Sequence, residues 1–207
     1  MGYSFTVRHA QTRLLVRPSA RTIRWASFVV IAATGALVVW TGGRKGGSPA
    51  AIALPIATTL LCVWLCFLFE DLVAETTDAS ATSLSFRRAV RAGIAVPPII
   101  AVWFAYTWIG PLTGPTLAMI GAFGAGIALA LAAAAVAVPL VGSGKSGLAS
   151  TAAVVFVLLV LPVAIGHPPS VDPAKPPIGD VFSYWSVVAL ISCFVLVMAH
   201  LERFQRR

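Results

Sequence analysis

Six long apolar runs, parted by short polar, proline-rich or glycine-rich breaks, give this chain its pattern. They fall at about 25–41, 50–69, 93–110, 115–140, 148–166 and 181–201. A run of roughly 18 apolar residues is long enough to cross a bilayer as a helix. Backbone groups in hydrocarbon must find partners within their own segment, and none of the runs alternates apolar with polar residues as a barrel strand does. The pattern therefore predicts an all-α integral membrane protein of six transmembrane helices.

The breaks differ in kind. Gly42 to Pro49 reads as a flexible turn between the first two spans, and Pro111 to Gly114 as a tight hairpin between the third and fourth. Pro168, Pro169, Pro173, Pro176 and Pro177 make the segment from His167 to Asp180 stiff and extended. The longest break, Glu70 to Arg91, carries four carboxylates, then a Ser/Thr-rich stretch that offers turns and helix caps, then Arg87, Arg88 and Arg91. Pro97, Pro98, Pro139 and Pro162 fall in or near spans and are expected to kink them. In the fourth span Gly121, Gly124 and Gly126, followed by an alanine-rich stretch, make a small face for close helix approach. That places the span at the centre of the bundle or at a subunit interface.

Composition strengthens this picture. Of 207 residues 58% are hydrophobic and 11% charged, against about 25% charged in a soluble domain. Mean hydropathy is +0.91. One membrane domain is expected over 25–201, with a basic cytoplasmic or interfacial segment at 1–24 and a basic cytoplasmic tail at 202–207. Within 1–24, apolar Leu14, Leu15 and Val16 interleave with Arg8, Arg13 and Arg17, which predicts a helix lying on the inner leaflet. The plainer alternative is a basic tail that only sets topology. The run after it is long enough to span, so it is expected to be retained and not cleaved as a signal peptide.

The net charge of +8 could point to nucleic acid. Its distribution points instead to anionic lipid headgroups, because the basic residues flank the apolar runs. With the N-terminus inside, twelve of the fifteen Lys and Arg residues face the cytoplasm, and Arg44, Lys45 and Lys175 face outward. The positive-inside rule thus predicts both termini in the cytoplasm, in the cell membrane.

Candidate chemistry is sparse. Cys62, Cys66 and Cys193 lie inside apolar runs without further ligand-type residues near them, so they read as apolar fillers and no metal site is expected. Gly144-Lys145-Ser146 hints at a phosphate loop, but Pro139 stands where the leading glycine of that motif belongs. Gly144-Lys145-Ser146-Gly147 also matches the Gly-x-Ser-Gly of rhomboid-like proteases, with His200 as a conceivable base. A serine in a polar inner hairpin beside a lysine suits that chemistry poorly. No catalytic residue and no cofactor is expected in this chain. Trp103, Phe104, Tyr106 and Trp108, with Trp40, Tyr184 and Trp185, read as an outer interfacial belt; Trp103, Tyr106 and Trp108 are also candidates for a substrate path.

Three features together, namely Arg13-Leu14-Leu15-Val16-Arg17-Pro18-Ser19 before the first span, the Glu70-Asp71…Ala74-Glu75-Thr76 segment closing on Arg87-Arg88…Arg91, and the six-span plan, resemble the small ABC-exporter permeases of actinobacteria. The resemblance implies a membrane subunit that pairs with a second, identical or homologous, membrane subunit. A separate cytosolic ABC ATPase would supply ATP and Mg chemistry, and the cargo would be amphipathic or drug-like. It makes Glu70, Asp71 and Glu75 gate-helix and docking contacts and Arg87, Arg88 and Arg91 headgroup anchors. The rival expectation is a non-catalytic accessory or assembly subunit that binds a partner through its glycine-rich fourth span.

Overall fold

The computed structural model describes residues 23–45, 48–68, 84–109, 117–141, 145–164 and 186–196. Residues 1–22 of the basic segment expected at 1–24, the acidic residues Glu70, Asp71 and Glu75, His200 and the basic tail lie outside them. Helices are α1 Trp25–Lys45, α2 Ser48–Phe67, α3 Leu84–Trp108 and α4 Leu117–Val141. The fifth, α5, is an α-helix over Ser146–Val155, a π turn over Phe156–Val160 and a last α turn over Leu161–Ala164. A short apolar helix, α6, covers Ser186–Leu196. The described residues are almost entirely helical and contain no strand.

By length and composition three stretches can cross a membrane: Trp25–Arg44, Arg88–Trp108 and Met119–Ala137. At 1.5 Å per residue each reaches about 30 Å, the thickness of a hydrocarbon core. Ile52–Phe67, Ser146–Val160 and Ser186–Leu196 are apolar but shorter.

Two boundaries differ from the expected ones for physical reasons. First, α1 runs through Gly42 and Gly43 to Lys45. The helix's own hydrogen bonds are the nearest partners for backbone groups there, and Arg44 and Lys45 suit the negative end of the helix dipole. The Arg44 guanidinium also lies 3.9 Å from the centroid of the Trp40 ring, one turn back. Second, α3 starts at Leu84, well before the apolar run at 93. Arginine and leucine are good helix formers, so the helix continues past the point where hydropathy fades. Arg87, Arg88 and Arg91 are therefore helical residues and do not belong to a loop.

Prolines sit inside these helices without ending them: Pro55 in α2, Pro97 and Pro98 in α3. Hydroxyls sunk among apolar groups donate to carbonyls of their own helix. Thr59 Oγ1 bonds Pro55 O at 2.9 Å, Thr107 Oγ1 bonds Phe104 O at 2.7 Å and Ser192 Oγ bonds Val188 O at 2.7 Å. This local pairing satisfies the donor where no water is at hand.

The hub of the bundle is α2, which touches α1, α3, α4 and α5. Its Ala57, Leu61, Cys62, Leu65 and Cys66 are fully buried. The small fourth span packs on α2 and α5 and leaves one side open, so the centre belongs to α2.

Side-chain pairs fix the running directions. Phe28 of α1 meets Trp64 of α2 at 4.9 Å between ring centroids, and the two helices are joined by two residues, so they are antiparallel. Trp103 of α3 reaches Thr58 and stacks on Phe123 of α4, while Gly126 of α4 faces Cys62. Going from 58 to 62 on α2 thus follows 123 to 126 on α4, and these two run the same way. Leu158 of α5 lies beside Gly126 and Thr151 beside Cys66, so α5 runs against α2. With α3 joined to the start of α4 at its Trp108 end, the first five helices alternate in direction.

Candidate functional site

Alternation sorts the helix ends into two groups. The starts of α1, α3 and α5 and the ends of α2 and α4 form one pole of the bundle; the opposite ends form the other. Arg24, Arg87, Arg88, Arg91 and Lys145 belong to the first pole, Arg44 and Lys45 to the second. The described residues include no Asp or Glu at all.

Within the basic pole Arg88 is 7% exposed. Its three guanidinium nitrogens and Nε of Arg91, one turn on, are enclosed by protein. Three cations in the first turns of α3 oppose the helix dipole, so the dipole does not account for their placement. The side chain of Arg87 lies outside the described residues.

Close by this pole α1 and α2 are clamped by aromatics. Trp25 packs edge-on to Phe28 at 6.0 Å, Trp25 and Trp64 stand 6.3 Å apart, and Trp64 Nε1 donates to Ser27 Oγ at 3.2 Å. Ser27 Oγ in turn donates to Arg24 O at 2.7 Å. The chain links the first residues of α1 to the last turns of α2.

A seam of thiols and hydroxyls runs between α2, α4 and α5. Cys66 Sγ donates to Cys62 O at 3.4 Å, and Ser150 Oγ donates to Ser146 O. Ser146, Ser150, Cys62 and Cys66 are all buried. Opposite them Gly126 leaves just enough room: a Cβ there would stand 3.1 Å from Cys62 Sγ and 3.6 Å from Leu158 Cδ1. Ser146, which the sequence offered as a conceivable nucleophile, is 1% exposed and opens α5. Among the described residues no three metal-ligating side chains gather.

The aromatics of α3 divide. Trp103 is 1% exposed, donates through Nε1 to Thr58 Oγ1 at 3.1 Å and stacks on Phe123 at 4.5 Å with the rings 2° apart. Tyr106 is equally buried and its hydroxyl donates to Ala32 O at 2.7 Å. Both are held by neighbours in α1, α2 and α4. Trp108 is 68% exposed and Phe104 and Trp40 are exposed with it, the arrangement of interfacial anchors. Tyr184 and Trp185 lie outside the described residues.

The glycines of α4 also divide. Gly126 is spent on the seam, whereas Gly121 and Gly124 are exposed and a Cβ at either would meet nothing within 4 Å. Sequence reasoning overlooked Gly35, whose missing side chain admits the Tyr106 ring. Its signal was present: a glycine inside an apolar helical run lets a neighbouring helix approach closely. Sequence reasoning also overlooked Thr58 as a tryptophan acceptor and the π turn at Phe156–Val160, for which no sequence signal beyond Pro162 exists.

Comparison of the chain with known protein families, curated proteins and solved structures returns no match.

Proposed function

We propose that this chain is a six-span protein of the cell membrane with both termini in the cytoplasm, and that it serves as the membrane subunit of an ATP-driven exporter. A separate cytosolic ABC ATPase supplies the energy, a second membrane subunit completes the passage, and the cargo is amphipathic or drug-like. The observation that carries the reading is the basic pole. Arg24, Arg88, Arg91 and Lys145 collect where helix ends of alternating direction meet, as cytoplasmic ends should. There α3 extends as a helix from Leu84 through Arg91, a firm lever for a partner to grip; in the sequence the acidic Glu70, Asp71 and Glu75 come shortly before it. The described helices hold no carboxylate, which suits cargo that needs no ion relay.

The test is native purification followed by measurement of coupled ATP hydrolysis. The reading expects an ATPase to copurify, and Glu70→Lys with Asp71→Lys to abolish coupling while the bundle keeps its helical content. Full coupling in that variant, or the absence of any ATPase from the native complex, would refute the reading.

A second reading, an accessory or assembly subunit, is favoured by one observation: the open face at Gly121 and Gly124, which suits lateral helix contact. It predicts a membrane partner and no ATPase in the same purification.

A further inference from the structure

Three features that soften a helix follow one another within α5. Near its start the Ser150 hydroxyl bonds back to Ser146 O, a pairing that bends helices. Next comes the π turn Phe156–Val160, closed by the Leu161 N–H bonding to Phe156 O, five residues back. Pro162 follows directly and brings no N–H to the ladder. By contrast, the ten residues ahead of the π turn form ordinary α-helix, with the Phe156 N–H reaching Ala152 O and Ala153 O.

The π turn has a geometric task. Ser146, Ser150, Val154, Leu158 and Pro162 are buried at every fourth position. In a regular α-helix each step of four overshoots a full turn by about 40°, so the stripe would drift about 160° around the axis by Pro162. A π turn takes more residues per revolution and rotates the stripe back toward α2 and α4. Leu158 then drops into the notch left by Gly126 against Cys62, 4% exposed. Two seats thus hold α5: the Ser146–Val154 face below, and Leu158 with Pro162 above. Phe156 and Val160 on either side of it are exposed.

We propose that Phe156–Val160 is a register switch. The π turn gives up its extra residue to become α-helix when Leu158 leaves its notch. The switch turns the helix beyond it by about 100° and shifts it by about 1.5 Å, while the Ser146–Val155 part stays seated. It is a conformational device of this fold, carried by the packing of α5 alone and independent of what the protein transports.

Hydrogen–deuterium exchange of the full chain in lipid nanodiscs, resolved to single amides, tests it. Amides from Val157 to Leu161 are expected to exchange at least about tenfold faster than those from Ala152 to Phe156, because a turn that changes register breaks its bonds repeatedly. Deleting Val157 removes the extra residue and should bring both groups to one rate. If that deletion fails to fold, Pro162→Ala keeps every residue and should slow the fast group by favouring regular helix. Equal rates in the unaltered protein would overturn the proposal. So would fast exchange that persists in the folded deletion, or fast exchange unchanged in Pro162→Ala.

Discussion

Replacing Gly35 by alanine perturbs the contact between α1 and α3. The added Cβ would stand 2.8 Å from Tyr106 Cζ and 3.1 Å from Cε2, with the hydroxyl oxygen nearer still. Ordinary contact begins near 3.4 Å, so the ring must retreat by more than half an ångström. It is 1% exposed and tied to Ala32 O at 2.7 Å, so retreat means overpacking its other side and stretching that bond. Overpacking costs about 1–3 kcal/mol and the lost hydrogen bond about 1 kcal/mol. Alanine returns about 1 kcal/mol through its better helix propensity. A net loss of about 1–3 kcal/mol is expected, read as reversible unfolding in bicelles by steric trapping. Tyr106→Phe supplies the decisive second arm. Ala32 O keeps its helical partner, so Tyr106→Phe by itself costs under about 1 kcal/mol, and the untethered ring can withdraw from a new methyl. In that background Gly35→Ala should cost at least about 1 kcal/mol less than in the unaltered chain. Equal costs in the two backgrounds, or a Gly35→Ala variant as stable as the parent, would refute the close approach of α1 and α3.

Three further outcomes follow from the same packing. Gly126→Ala crowds Cys62 Sγ and should destabilise by about 1–2 kcal/mol, with most of the loss recovered in Gly126→Ala/Cys62→Ala; the same unfolding assay reads both. Trp103→Ala removes a stacked, hydrogen-bonded core ring and should cost about 3–5 kcal/mol, whereas Trp108→Ala, at an exposed position, should leave the unfolding free energy within about 1 kcal/mol. Gly124→Val meets open space and should leave the isolated chain's stability nearly unchanged; loss of a copurifying membrane partner in that variant would identify the face as an interface.

Much of the fold was legible because hydrophobic length is a strong signal. The apolar runs located each described helix to within a few residues wherever a proline or glycine cluster closed it. They failed at the start of α3, since Arg87, Arg88 and Arg91 are helix formers that hydropathy scores as loop. They failed also at Gly42-Gly43, where the helix needs no side chain to continue. Pairwise packing was not legible. That Gly126 serves α2 and α5 while Gly121 and Gly124 face outward depends on a rotation no composition encodes. Trp103 and Tyr106 looked like members of an outer belt, yet their polar atoms are taken up by Thr58 and Ala32. The extra residue of the π turn is invisible for the same reason: it answers to the spacing of a neighbouring helix.

The central claim is that the helix ends bearing most of the positive charge share one face of the membrane, opposite Arg44. Cysteines introduced singly at Arg44 and at Lys145, in a chain whose Cys193 is replaced by alanine and whose Cys62 and Cys66 are buried, can be probed with an impermeant maleimide on intact cells and on inverted vesicles. The account predicts labelling of Arg44→Cys from outside only and of Lys145→Cys from the cytoplasmic side only. Labelling of both from the same side would contradict it.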